Sequence, residues 1–86
     1  MAMTLRRGVS ATETDYGTTL LDEDSGEYFT LNPSGSVVLR TLLAGGTAAE
    51  ASHALATEYE VATDIADRDV ADLLAELRSA GLVAEQ

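Results

Sequence analysis

Residues 18–35, TTLLDEDSGEYFTLNPSG, constrain the fold more than any other stretch, because they encode a β-hairpin and a helix start within one short run. Thr19-Leu20-Leu21 favours one strand, and Asp22-Glu23-Asp24-Ser25-Gly26 favours a turn in which Gly26 is free to take positive φ. Tyr28-Phe29-Thr30-Leu31 then favours a returning strand. Asn32-Pro33 ends the sheet. The Asn32 side chain can accept a first-turn N–H, and Pro33 suits the first helical position, where no N–H is needed. The strand Glu27 to Leu31 is thus expected to be followed at once by a helix, with no further strand in sequence to cover it.

Upstream, Leu5 to Thr14 alternates weakly, and Val9, Ala11 and Thr14 mark a candidate first strand before Asp15-Tyr16-Gly17 turns the chain. With the hairpin this makes a three-stranded antiparallel sheet, about the smallest that is stable when packed on helices. Three helices follow. The first runs from Pro33 to about Leu43, with Val37, Val38, Leu39 and Leu42 inward, and stops at Ala44-Gly45-Gly46. Thr47-Ala48-Ala49-Glu50 is a capping box that opens the second, whose inner face is read as Ala51, Ala54, Leu55 and Tyr59. The third runs from about Asp64 to Ala80. Ala66, Val70, Leu73, Leu74 and Leu77 fall within one arc of about 100° on it. Asp64, Asp67 and Asp69 sit at its positive dipole end, Arg78 sits in its last turn, Gly81 stops it, and Leu82-Val83 are expected to fold back on the core. The order β-β-β-α-α-α, with a tight two-helix unit around Gly45-Gly46-Thr47, predicts an α+β, winged helix-turn-helix-like fold. Residues 1–86 are read as one domain.

Composition narrows the function. Fifteen acidic residues against five basic ones give a net charge of −10, which disfavours binding to nucleic acid through phosphate neutralisation. The helices also lack a groove-reading face. The second offers Glu50, Ser52, His53 and Glu58, and the third mainly Asp and Glu, where Arg, Lys, Asn or Gln would be needed. Without Cys there is no disulfide, thiolate metal site or Cys nucleophile. No run approaches the roughly 20 apolar residues of a membrane span, and a cytoplasmic location is the simplest expectation. All five basic residues are Arg, with no Lys and abundant Ala, as GC-rich coding genomes produce. Stability of about 0.05–0.15 kcal/mol per residue leaves little margin for a strained catalytic site. Binding suits such a chain better than chemistry, and neither an enzyme nor a cofactor is expected.

The chemistry-bearing residues agree with that expectation. His53 is the lone histidine and has no Cys or second His to work with, so it is read as structural. Asp22, Glu23 and Asp24 lack the spacing and distal Glu of a calcium loop and read as a solvated turn. Asp24-Ser25 matches the attachment point of acyl and peptidyl carrier proteins, but Gly26 follows where those proteins have Leu, and the Ser lies in a turn instead of at a helix start. If chain order is sheet order, Glu27 to Leu31 is an edge strand that neither Lys nor Pro blunts. Two readings of it stand side by side: a template for an added peptide strand, or a short edge simply covered by the third helix.

Several of these segments together resemble the PqqD-like family. They are Leu20-Leu21-Asp22, Ser25-Gly26-Glu27-Tyr28-Phe29, Leu31-Asn32-Pro33-Ser34-Gly35, Leu42-Leu43-Ala44-Gly45-Gly46, and Asp69-Val70 followed by Leu73-Leu74, Leu77 and Gly81-Leu82-Val83. The resemblance covers about residues 5 to 84. It implies a stand-alone recognition element that captures the leader of a ribosomally made precursor peptide and presents it to modifying enzymes without chemistry of its own. The wording of the hairpin looks most like actinobacterial lasso-peptide pathways, whose further components are a cysteine leader peptidase and an ATP-dependent macrocyclase. A partner of a radical-SAM enzyme is the nearest alternative. The family docks its leader as a strand beside the third strand, under the third helix. Carried over by position, that implies Glu27, Tyr28, Phe29, Thr30 and Leu31 on the strand and Asp67, Val70, Ala71, Leu74 and Arg78 on the helix, with Leu73 and Leu77 left to the core. Glu27 and Phe29 share one strand face and Tyr28 and Thr30 the other, with the core-facing side left open by the sequence.

Overall fold

The computed structural model describes residues 3–85, so the outermost residues of the expected 1–86 domain, Met1, Ala2 and Gln86, lie outside the described residues. Its elements are β1 (Met3–Leu5), β2 (Val9–Thr14), β3 (Gly17–Asp22), β4 (Glu27–Leu31), α1 (Pro33–Leu43), α2 (Ala48–Tyr59), α3 (Thr63–Ser79) and β5 (Val83–Glu85). The three-stranded antiparallel sheet has the order β2-β3-β4 and precedes the three helices, an α+β arrangement of winged helix-turn-helix type. A separate two-stranded ribbon, β1 with β5, joins the chain ends, with Met3 opposite Glu85 and Leu5 opposite Val83. Sequence reading missed that ribbon, since each strand has only 3 residues and the partners lie at opposite ends of the chain.

Local signals set the helix boundaries. The Asn32 Oδ1 accepts from the Gly35 N–H at 2.8 Å, and Pro33 begins α1. Thr47 and Glu50 exchange the two bonds of a capping box, at 2.8 and 3.1 Å, and open α2. Gly81, at φ 69°, releases the chain from α3 toward β5. Each of these devices satisfies backbone groups that a helix end otherwise leaves unpaired.

Two joined apolar clusters form the core. One gathers Met3, Val38, Leu42, Ala51, Leu55, Ala66, Val70 and Leu74 between the helices and the ribbon. The other gathers Leu20, Leu31, Leu39, Leu77 and Leu82 between sheet and helices. Half-buried Leu73 packs against both. The expected inner face of α2 is corrected at Tyr59, which is 43% exposed because the helix ends beside solvent. Ser52 is buried instead, its hydroxyl donating to the Asp67 carboxylate of α3. On β2, the core-facing residues are Val9, Ala11 and Glu13, so Thr14, expected on their side, falls on the opposite one.

Candidate functional site

Strand β4 hydrogen-bonds to β3 on one side and to no other strand among the described residues. The register shows which of its backbone groups are free. Thr14 opposite Gly17 closes a two-residue turn, which makes it a hydrogen-bonded pair; with alternation, so are Thr12 with Thr19 and Ser10 with Leu21. The Glu23 N–H donating to the Gly8 carbonyl at 2.8 Å continues the same parity. Thr18, Leu20 and Asp22 therefore turn their N–H and C=O groups toward Leu31, Phe29 and Glu27. By the same alternation, the N–H and C=O groups of Tyr28 and Thr30 point away from the sheet, along the open edge.

Gly17 holds this geometry at the far end. A Cβ there would stand 1.9 Å from the Leu31 carbonyl oxygen, and φ is 133°, so only glycine lets the β2–β3 turn close against the end of β4. At the other end, Asp22 organises the β3–β4 turn. Its Oδ1 accepts from the N–H groups of Asp24 and Ser25 at 3.1 and 3.4 Å, and its Oδ2 pairs with Arg6 at 2.8 Å. Burial pushes the Asp22 carboxyl up, but the Arg6 hydrogen bond, the two backbone donors and the Arg6 charge outweigh it and hold it below the usual carboxylate range. Arg6 also donates through Nε to the Gly81 carbonyl at 2.6 Å, tying the turn to the ribbon that joins the chain ends. The acidic turn is thus a structural knot, and the Ser25 Oγ serves it by accepting from the Glu27 N–H at 3.2 Å. His53 is exposed on α2.

Side-chain burial settles which face of β4 meets the core. Leu31 is buried and Phe29 half-buried against the sheet–helix cluster, with Glu27 on their side, whereas Tyr28 (70% exposed) and Thr30 face out. Beneath the open edge, between β4, the start of α1 and α3, lies a groove of about 340 Å³. Leu31, Val38 and Leu55 are its buried floor, Phe29, Gly35 and Leu73 its half-buried walls, and exposed Asp69, Asp72 and Glu76 its α3 rim. The strand can supply main-chain pairing, while the groove takes alternate side chains of whatever pairs.

The α3 side of the site differs from the sequence expectation. Val70 (2% exposed) and Leu74 (8%) belong to the helix core, and Leu73, expected in the core, packs against both core clusters and also lines the groove. Asp67, Val70, Ala71, Leu74 and Arg78 come together, but with Ala48 and Ala49 around a second hollow of about 390 Å³ on the α2 side of the helix. The charges of that flank have internal partners. Asp67 takes the Ser52 hydroxyl, and Arg78 pairs with Glu85 at 2.5 Å. The apolar arc fixes which way α3 faces the core, but not which border of the arc lies against β4; that depends on how the helix crosses the sheet. One sequence signal was available. Asp69, Asp72 and Glu76, at spacings of three and four, form an acidic stripe beside Leu73.

The geometry can be set beside known proteins. The family model "Coenzyme PQQ synthesis protein D (PqqD)" matches residues 17–83. A solved structure described as "Lasso peptide synthetase B1 complexed with the leader peptide" is similar with a TM-score of 0.89 and 38% identity, over 99% of this chain and 100% of that one. A second, "TbiB1 in Complex with the TbiA(beta) Leader Peptide", has a TM-score of 0.84 and 28% identity, over 100% of this chain and 98% of that one. No curated protein sequence matches.

Proposed function

This chain belongs to the PqqD family, and from that premise we propose that it binds the leader segment of a ribosomally made precursor peptide, of lasso type, as a strand added to β4. The observation that carries the reading is the open edge at Tyr28 and Thr30, lying directly over a groove with a buried apolar floor and an acidic rim. Both solved relatives are described as bound to leader peptides, and the description of the first as a lasso peptide synthetase favours the lasso setting over a radical-SAM partner. The leader's main chain pairs with Tyr28 and Thr30. Its side chains opposite Phe29 and Leu31 enter the groove, while those opposite Tyr28 and Thr30 stay on the outer face. The α3 wall of this site is Asp69, Asp72, Leu73 and Glu76, in place of the flank from Asp67 to Arg78. An apolar leader anchor therefore meets Leu31, Val38, Leu55 and Leu73, and a basic neighbour meets the rim. The protein acts in the cytoplasm without chemistry of its own and hands the peptide to a cysteine leader peptidase and an ATP-dependent macrocyclase.

Fluorescence anisotropy with the labelled leader of the neighbouring precursor gene tests this. We expect saturable 1:1 binding with a Kd of about 1 μM or tighter, which corresponds to roughly −8 kcal/mol. Leu73→Ala, which removes the half-buried side chain from the groove wall without adding a charge, should weaken it about tenfold or more while circular dichroism stays native. Failure of the native protein to bind any such leader would refute the proposal.

A further inference from the structure

Seven glycines punctuate the chain, and the backbone accounts for six of them. Five hold positive φ, which residues with side chains rarely adopt, and at Gly46 a Cβ would stand 2.8 Å from the Thr41 carbonyl oxygen. Gly35 has neither reason. It lies in the first turn of α1, within a helix, where alanine is the more stable choice. A Cβ there would meet the Asn32 Oδ1 and the Leu31 Cβ, each at 3.3 Å, a tight fit that shifts of a few tenths of an ångström relieve. Packing alone does not demand the glycine. Its place in the groove supplies another reason. Gly35 and Val38, three residues apart, share the stripe of α1 that faces the groove, and both line it together with Leu31. Val38 covers its part of that stripe with a branched side chain, whereas Gly35 leaves a half-buried notch in the helix surface, bordered by Leu31 and Asn32. The acceptor beside the notch is already engaged. The Asn32 Oδ1 accepts from the Gly35 N–H at 2.8 Å and from the Ser34 hydroxyl at 2.9 Å, so both of its lone pairs are taken.

We propose that Gly35 is a specificity-determining residue of the leader site: the missing side chain is room for one large apolar anchor of the leader, which lies against the α1 backbone where any other residue would put its Cβ. The inference rests on the leader reading and adds to it the residue that sets how large an anchor the groove accepts. A leader side chain turned inward opposite Leu31 arrives at this notch. Val38, Leu55 and Leu73 offer apolar contact to a guest of any size, but the notch rewards only a side chain broad enough to fill it. A shorter one leaves a gap across which dispersion contacts are lost. Alanine at this position would favour the helix and spoil the fit, so the stability of the free protein and its selectivity for the guest pull in opposite directions here.

The test titrates the native protein and Gly35→Ala, by fluorescence anisotropy, with the labelled leader of the neighbouring precursor gene and with leaders in which each large apolar residue is replaced in turn by alanine. Each leader position then forms a double-mutant cycle with Gly35. Gly35→Ala should melt within about 3 °C of native, and it should bind the unaltered leader about tenfold more weakly. At one leader position, alanine should weaken binding about tenfold or more on the native protein and less than about threefold on Gly35→Ala, which has already lost the notch. At the other positions the losses should match in the two proteins. The proposal is overturned if Gly35→Ala binds the unaltered leader within about twofold of native, or if no leader position couples to it. It is equally overturned if Gly35→Ala melts more than about 3 °C below native, which would assign the glycine to packing against Leu31 and Asn32. Saturable binding by the native protein with no coupled position removes this inference and leaves the leader reading standing, whereas no saturable binding removes both.

Discussion

Replacing Thr30 with proline separates pairing within the sheet from pairing with a guest. Because Leu20 and Thr18 bond to Phe29 and Leu31, the Thr30 N–H points along the open edge and is not used in the β3–β4 ladder. Proline on an edge strand with its missing N–H toward solvent is tolerated, and the extended backbone it requires of the preceding Phe29 is the one a strand already has. The free protein should lose only about 1 kcal/mol. A docked leader loses more, since one of its carbonyls is left unpaired against the protein at about 1–3 kcal/mol, and the pyrrolidine ring stands where the strand must approach. Taking about 2 kcal/mol, the Kd should rise roughly 30-fold. Phe29→Pro is the counterpart. Its N–H lies on the ladder side, opposite Leu20, so that substitution should cost about 3 kcal/mol or more in stability and largely unfold the sheet. Thermal melts and leader anisotropy on both variants provide the measurement. A folded Thr30→Pro protein that binds leader as tightly as native would refute both the parity assignment and strand addition on β4.

Three further outcomes follow from the same geometry. Gly17→Ala drives a methyl onto the Leu31 carbonyl oxygen, 1.9 Å from the ideal Cβ position at φ 133°, and should cost at least about 3 kcal/mol in chemical denaturation. Reversing the groove rim with Asp69→Lys and Asp72→Lys should slow association of a leader carrying basic residues by about tenfold at low salt, and stopped-flow traces of the two proteins should converge as salt rises. For pH, Arg6 and the turn amides overcome burial to hold Asp22 low, and the Arg78 hydrogen bond holds Glu85 low against a smaller burial effect. A folded value below the unfolded one gives stability that is fully present above the ordinary carboxylate range, around pH 4, and is lost as pH falls through the lowered values. Urea midpoints should therefore fall below about pH 4, and the deficit of Asp22→Asn at pH 7 should shrink on acidification.

What sequence made legible is local. Asn32 and Pro33, the Thr47–Glu50 box and Gly81 act within one helical turn of themselves, so their effect is written in neighbouring residues. The strand at Glu27 to Leu31 was legible for the same reason, including its place at the edge. Long-range choices were not. Ser52 is buried because Asp67, on another helix, accepts its hydroxyl, and no period of 3.6 selects it over Ala54. Tyr59 lies on the right arc of α2 but is its last residue, where it is 43% exposed. The side of α3 that meets β4 is set by how the helix crosses the sheet, which is why Leu73, packed against both core clusters, also lines the groove while Val70 and Leu74 do not.

The openness of β4 also depends on where the other strands go. The chain does contain a late strand, β5, that emerges from α3 and in a different topology would have covered the edge. Seventeen residues of α3, about 26 Å of helix, carry the chain past β4, and β5 pairs with β1 instead. Arg6 then holds that ribbon to the β3–β4 turn through Asp22 and the Gly81 carbonyl. An open edge ordinarily invites another copy of itself, but here Glu27 heads the strand and Asp69, Asp72 and Glu76 face it across the groove, so a second β4 would bring its own carboxylates into an acidic channel. The same charges favour a basic guest. Self-association and leader capture are thus separated by the sign of one electrostatic interaction, and the two lysine substitutions proposed for the rim should weaken the barrier to the first while they slow the second.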